Sequence, residues 1–424
     1  MRCLLFNISY RQILLFLATG LFYYCLFHPY QGITIYDNSL MIPGVSPHLI
    51  YLGIEMVVIS LFIVAVKDAS TSVLRVLLLV GSYWLIMLVR DISVQDNNIL
   101  ILYLTQNFSV AVFLMAFICY KQTMRRFFFL LLISVYAVYA LFILASFWDT
   151  LAISPFTYAQ QPRLSFLFEN PNHLGNVLAF ATISCFSWAV FAERPVVRTS
   201  FWILMTVLQY GLVSTMSRGA LLGYTVGMLY VLWHIAHRLP RLKVAWVIGI
   251  WLITLLVCFR ITPIGMASAA RISQSTPSSD NSMKHRILIW QATLEIIADN
   301  WKTGVELGRF GEVLDQHYKP AMVKHEKYGS AMNNYLTLAA EAGVPIAILY
   351  LVMICILLYT AMRNLPPLGS SAGTDIGILG GVIALLIFSL STYTFGRIYA
   401  NMILWLSFGY LLANIPSPTS AVKD

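Results

Sequence analysis

Apolar runs of about twenty residues, each closed off by charge or by turn residues, recur along the chain, and that is the length an α-helix needs to cross a bilayer. They lie near 11–29, 48–66, 72–89, 98–119, 126–148, 173–192, 199–215, 219–236, 243–260, 334–362, 376–394 and 398–414. At about 20 residues each, a dozen spans use roughly 240 residues and leave the rest for loops. The expected fold class is an all-α polytopic membrane protein of about 12 transmembrane helices. Composition agrees, because only 11% of the 424 residues are charged, against roughly 25% in a soluble domain. Disorder, a nucleic-acid-binding module and an ordinary soluble enzyme with a small anchor are thereby excluded. The first run is followed by further spans, so it reads as a retained helix rather than a cleaved signal peptide.

Two runs flank Ser217-Arg218-Gly219 with almost nothing between them, which predicts a tight helical hairpin. The run 334–362 is too long for one upright span, and Gly343 and Pro345 would bend it. Lys and Arg divide unevenly between alternate short loops. One side carries Arg2, Arg11, Lys67, Arg75, Lys121, Arg125, Arg126, Arg194, Arg198, Arg238, Arg241, Lys243, Arg363 and Lys423, whereas the other has only Arg90, Arg163, Arg218 and Arg397. The richer side is expected to be cytoplasmic. Both termini then face the cytoplasm, and much of the net charge of +9 is a topology signal. The expected organisation is a bundle of nine spans over 1–260, a long extracytoplasmic loop over 261–333 between spans nine and ten, and three more spans over 334–424. In that loop, Ile287, Trp290, Leu294 and Ile297 recur at helical spacing, with Ser282 in the N-cap position. This predicts an amphipathic helix on the outer membrane surface or over a cavity.

The informative charges are those that topology leaves unexplained. Arg163, Arg218 and Arg397 oppose the positive-inside bias; a snorkelling arginine at a helix end is the plain alternative. His285, Arg286, Arg309, Lys319, Lys324, His325 and Lys327 cluster in the long loop. Guanidinium groups bind phosphate oxygens with two parallel hydrogen bonds and stay charged, so a diphosphate suits them. The stretch Phe168-Glu169-Asn170-Pro171-Asn172-His173-Leu174-Gly175 crowds polar groups at the outer mouth of a span, as a loop cap or as a binder of sugar hydroxyls. In SAMNNYLTLAAEAG, Glu341 is an ionisable residue deep in an apolar run, hence a site candidate with helix capping or packing as the alternative. No metal-binding or phosphate-loop pattern occurs, and no cofactor is implied. The six cysteines are scattered and form no CxxC, which fits buried membrane thiols.

The order STMSRGALLG, HRILIWQATLEIIADNWKTGVELGRFG and AMNNYLTLAAEAG, with NPNHLG upstream, resembles the O-antigen ligase and Wzy polymerase superfamily of bacterial membrane glycosyltransferases. The likeness is best over about 165–345. It implies a GT-C-like helical fold that moves a glycan from an undecaprenyl-diphosphate carrier to a hydroxyl acceptor, without a metal or a nucleotide sugar. The acceptor would be another carrier-linked glycan, a lipid A-core or a different hydroxyl. By this resemblance Arg218 and Arg286 would contact the donor diphosphate. Trp290 completes the R-x-x-x-W pattern, Asn333 and Tyr335 match the start of the next helix, and Glu341 matches the family's glutamate. Arg163, Asn170, Asn172, His173 and Arg397 complete the expected binding set. A bacterial inner-membrane protein is implied, with its active site facing the periplasm or cell exterior. A flippase and a chain-length regulator are the expected pathway partners; nucleic acid is not.

Two departures stand out. Ser330 and Met332 occupy positions where the family often has histidines, and Glu306 stands where a glycine is common. The missing proton acceptor would be replaced by His325, Glu306, Tyr328 or His317. Alternatively the reaction needs no strong base, or activity has been lost or altered. A polymerase or broader exopolysaccharide role is then favoured over a lipid A-core ligase. A twelve-span transporter of a polysaccharide precursor or other anionic substrate is the competing class; it would show two similar six-span halves, which the long loop after span nine spoils.

Overall fold

The computed structural model describes residues 121–146, 157–158, 161–165, 168, 170–260, 263–273, 281–318, 328–367, 370–394 and 397–412, together with the helical stretch 78–83. The first four expected spans otherwise lie outside the described residues. So do Lys319, Lys324, His325 and Lys327.

Helix α1 covers Lys121–Ala145. A short hairpin pairs β1, Thr157–Tyr158, antiparallel with β2, Gln161–Leu164. Next come α2 (Pro171–Phe191), α3 (Pro195–Ser214), α4 (Arg218–Arg238) and α5 (Arg241–Arg260). The expected loop contains α6 (Pro263–Ser273), α7 (Asn281–Asp299) and α8 (Phe310–Val313), the last running on as a π-helical turn, Leu314–Tyr318. The chain ends with α9 (Asn334–Ala342), α10 (Val344–Arg363), α11 (Ser370–Phe388) and α12 (Ile398–Leu412). Among the described residues, α1 to α5 and α10 each contain a stretch long and apolar enough to cross a membrane, and α11 and α12 are shorter apolar helices. The protein is an all-α membrane protein, with one small hairpin among the described residues.

Local signals set the helix starts. Asn170 caps α2 by accepting from the Asn172 N–H at 2.9 Å, with Pro171 in the first turn, where no intrahelical donor is needed. Ser217 caps α4 through the Ala220 N–H at 3.4 Å. The long run 334–362 does break at Gly343, whose φ of 85° ends α9 and lets Val344 start α10. Two boundaries are corrected. Helix α7 starts at Asn281, so Ser282 is its second residue and not its cap. The run 376–394 is helical only to Phe388; Ser389 and Thr394 then share a hydroxyl hydrogen bond at 2.9 Å in a turn. A row of neutral hydroxyls within apolar neighbours does not register as a break in hydropathy.

Helix α2 is the axis of the described bundle, with 89% of its span buried, whereas α5 is 6% buried and presents Leu242, Trp246, Ile253 and Leu256 outward. Such apolar exposure suits contact with acyl chains. Small residues let the central helices close in. A methyl group on Gly227 of α4 would lie 2.5 Å from the Gly380 carbonyl of α11, and one on Gly377 would lie 2.9 Å from Ser187 of α2. This is the small-residue packing by which helices associate where lipid offers no hydrophobic gain. At one end of the bundle, Asp375 of α11, with a side chain 1% exposed, meets Arg125 of α1 at 2.5 Å. Arg125 also donates to the Tyr410 hydroxyl at 3.1 Å and lies 4.6 Å from the centre of that ring on α12. Arg125, one of the charges counted toward topology, is therefore also a buried cross-link.

Candidate active site

The end of the bundle opposite Asp375 gathers the polar motifs. Arg163, on β2 and 7% exposed, donates from Nε to the Thr215 carbonyl at 3.0 Å and from a terminal nitrogen to Asn172 Oδ1 at 3.2 Å. One buried side chain thus joins the start of α2 to the turn that precedes Ser217-Arg218. Gly175 keeps the two elements close, because a methyl group there would lie 2.9 Å from Ala220 Cβ and from Thr215 Oγ1. His173, 5% exposed, shares a 2.6 Å hydrogen bond with the Tyr399 hydroxyl at the start of α12, two residues after Arg397.

The start of α4 packs on the turn after α11, where Gly219 abuts Ser391. The same turn holds α9. Asn334 accepts from the Thr394 N–H at 2.6 Å, donates to the Thr394 hydroxyl, and gives its own N–H to the Ser389 carbonyl at 2.9 Å. Asn333 caps α9, accepting from the Tyr335 and Leu336 N–H groups at 2.9 and 3.1 Å, and the Tyr335 hydroxyl donates to the Leu386 carbonyl at 2.9 Å. The N-termini of α2, α4, α9 and α12 therefore meet at one end of the bundle. Each lies at the positive end of its helix dipole, although the first N–H groups of α9 are taken by Asn333 and Ser389, so the Arg218 side chain rather than free backbone donors would meet an anion here. Arg218 is the first residue of α4 and half-buried there.

The segment after α7 docks on the junction of α9 and α10. The Val305 N–H donates to the Ala340 carbonyl at 2.9 Å, and the Val344 N–H to the Trp301 carbonyl at 2.8 Å. Gly304, with φ 67°, touches the Glu341 carbonyl, a contact that leaves no room for a side chain. Glu341, 3% exposed, accepts the Phe310 N–H at 3.4 Å and so holds the start of α8. Trp290 of α7 donates from its indole nitrogen to the Ala331 carbonyl at 2.9 Å, and the Tyr328 hydroxyl lies 3.4 Å from His285 Nδ1. Arg286 is half-buried on the same helix.

The remaining candidates face outward. Arg309 sits between Glu306 at 3.2 Å and Glu312 at 3.1 Å, and its hydrogen bonds lower the Glu312 pKa. Glu306 is thus exposed and ion-paired. His317 is exposed in the π-helical turn, beside Tyr318, whose hydroxyl donates to Asp299 at 2.6 Å. That bond raises the Tyr318 pKa. The structure consequently gathers Arg163, Asn170, Asn172, His173 and Arg218 with the Asn333–Tyr335 cap, and brings Trp290 to the same cap through Ala331. Glu306 and His317 belong to the outer segment. His325 lies outside the described residues. Sequence reasoning missed Tyr399, Thr394 and Asn176. Asn176, one helical turn beyond Asn172, is 1% exposed, and neither polar atom of its amide has a hydrogen-bond partner. The hydroxyl-rich SLSTYT stretch is the available signal for Thr394, although its mean hydropathy merges it with the preceding span. No group of three or more His, Cys, Asp or Glu suited to a metal occurs among the described residues.

Residues 200–351 match a family model described as O-antigen ligase. The match begins within α3, takes in the Ser217-Arg218 turn, α7, the Gly304–Gly311 segment and α9, and ends in α10. No curated protein matches the chain. Over that segment the motif order and the family match agree, and residues 200–351 are similar to the O-antigen ligase family of membrane glycosyltransferases.

Proposed function

We propose that the protein transfers a glycan from an undecaprenyl-diphosphate carrier to a hydroxyl acceptor on the extracytoplasmic side of a bacterial inner membrane, as a polymerase of O-antigen or exopolysaccharide repeats rather than as a lipid A-core ligase. The observation that carries this reading is the meeting of four helix N-termini, with Arg218 on one of them, at one end of an apolar bundle. Such a grouping suits an anion, and a lipid-linked diphosphate would bring one to the end of a membrane bundle.

In the proposed reaction the acceptor oxygen bonds to the anomeric carbon as the bond from that carbon to the diphosphate breaks. The carrier diphosphate leaves with the bonding electrons. Arg218 and Arg286 hold it and stabilise the negative charge that grows on its bridging oxygen. Asn172, with its neighbours at the start of α2, orients sugar hydroxyls. Arg163 and Trp290 act as positioning residues, since their hydrogen bonds fix the Arg218 turn and the approach to α9. With so good a leaving group the acceptor proton departs late, to Tyr328 and its partner His285 or to His325. Glu341 is engaged by the Phe310 N–H, which suits it to shaping the site, whereas Glu306 is engaged by Arg309 on the outer segment.

The test uses Arg218→Ala, Arg218→Lys, Arg286→Ala and Arg286→Lys in the full chain, with membrane insertion, donor binding and glycan product measured together. Each alanine variant is expected to insert normally and lose about two to three decades in rate, the cost of one lost oxyanion donor. Lysine should keep part of the binding and lose most of the turnover, because a point charge replaces a two-pronged contact. Normal product from well-inserted alanine variants would remove the diphosphate clamp from the mechanism.

A further inference from the structure

The other end of α2 borders a cavity that the transfer reaction does not use. A cavity of about 190 Å³ opens there, walled by Phe129, Trp188, Phe191 and Phe201, with Glu193 and Arg194 on its lip. Its aromatic wall is well ordered by contact. Trp188 meets Phe129 edge-on at 4.7 Å between ring centres, meets Phe201 at 5.3 Å, and stacks on Tyr136 at 5.8 Å. Yet the Trp188 indole N–H has no hydrogen-bond partner, although the residue is only 3% exposed. A buried donor left unmade is costly, and an acceptor on a molecule in the cavity would offset that cost.

The lip supplies the rest. Glu193 and Arg194 are consecutive, both exposed, and sit between the end of one membrane-length helix and the start of the next. Opposite charges side by side at this depth match a headgroup that carries both signs, and the apolar floor matches an acyl chain. Arg126, exposed three residues before Phe129, adds a second cation on the same face of α1.

We propose that this cavity holds one molecule of an amine-bearing glycerophospholipid, phosphatidylethanolamine. Its phosphate faces Arg194, its ammonium faces Glu193, an oxygen accepts the Trp188 N–H, and the upper part of one chain lies among the phenylalanines. The site is separate from the transfer site, at the opposite end of α2, and takes a membrane lipid rather than a glycan carrier.

The full chain is purified in mild detergent and titrated with phosphatidylethanolamine, phosphatidylglycerol or free phosphoethanolamine, and bound molecules are counted by native mass spectrometry. One phosphatidylethanolamine is expected to bind in preference to phosphatidylglycerol, and phosphoethanolamine alone not to bind. Trp188→Phe keeps the ring and removes the donor, and it should weaken binding by about tenfold, as one charge-assisted hydrogen bond does. Glu193→Gln should abolish the preference between the two lipids. Val197→Trp, which fills the cavity, should remove the bound lipid. Equal affinity for both lipids, tighter phosphatidylglycerol binding, or unchanged binding in Trp188→Phe and Glu193→Gln would each overturn the proposal. Those two conservative variants decide the matter if Val197→Trp elutes as aggregate.

Discussion

Arg163 makes the most exposed wager about how the site is held. Its two hydrogen bonds go to acceptors in different surroundings: Thr215 is fully buried, whereas Asn172 is half-buried. Arg163→Ala leaves the Thr215 carbonyl without a charged donor that would contribute about 1.5–3 kcal/mol. The Asn172 amide can be rehydrated, so its share is smaller. Couplings measured between polar side chains inside membranes average about 0.6 kcal/mol, because the unfolded chain also finds partners there. The whole loss is therefore expected near 2–3 kcal/mol, of which about 1 kcal/mol is the Arg163–Asn172 coupling. Denaturation in mixed micelles of wild type, Arg163→Ala, Asn172→Ala and the double variant gives the cycle, and glycan transfer by each variant at a temperature where all are folded gives the functional cost. A positioning role predicts that Arg163→Ala lowers turnover more than donor affinity, since Arg218 remains but its turn loosens. Coupling indistinguishable from zero, with Arg163→Ala as stable as wild type, would refute the idea that this side chain ties the two motifs together.

Two further outcomes follow from the same geometry. Glu306 has φ 75°, in the left-handed region that costs a non-glycine residue about 1 kcal/mol, and its exposed ion pair with Arg309 contributes little. Glu306→Gly should thus hold or raise thermal stability and leave transfer within a few-fold of wild type, whereas a loss of more than about 100-fold would make Glu306 the base. Asp375→Asn should destabilise the protein by about 2 kcal/mol, because half-buried Arg125 loses its charged partner, and the joint change Arg125→Met with Asp375→Leu should recover most of that loss.

Hydropathy and turn chemistry made much of the described bundle legible. The hairpin at Ser217 and the break at Gly343 follow from residues whose local physics is strong: a capping hydroxyl and a glycine that tolerates φ 85°. The membrane class followed from the length of the apolar runs. What the sequence withheld is partnership. Asp375 is one acidic residue at the head of an apolar run, and nothing nearby announces that its partner lies 250 residues away on α1. The contact of His173 with Tyr399 spans 226 residues, and Glu341 finds a backbone N–H, a partner that no side-chain motif can name. Residue type signals that a polar group in an apolar run needs company. Only the packing of α2 against α4, α11 and α12 decides which company it finds.

The backbone adds a reason to treat the three family motifs as one device. Among the described residues, the non-glycine residues with positive φ are Met216, Glu306 and Met332, at 50°, 75° and 52°. They fall in STMSRG, GVELG and SAMNN respectively. Such conformations cost of order 1 kcal/mol or more each and persist only where the surroundings over-determine them. At Met332 the surroundings are clear: the Trp290 indole fixes the Ala331 carbonyl, and Thr337 Oγ1 accepts the Ala331 N–H at 3.0 Å. The turn then delivers Asn333 to its cap and Asn334 to Thr394. By the resemblance Met332 stands where a histidine is common, and the left-handed backbone it holds is one that histidine adopts more readily than methionine does. The segment thus holds backbone strain in support of one placement, the Asn333 cap and the Asn334–Thr394 contact that fix the start of α9 against the turn after α11.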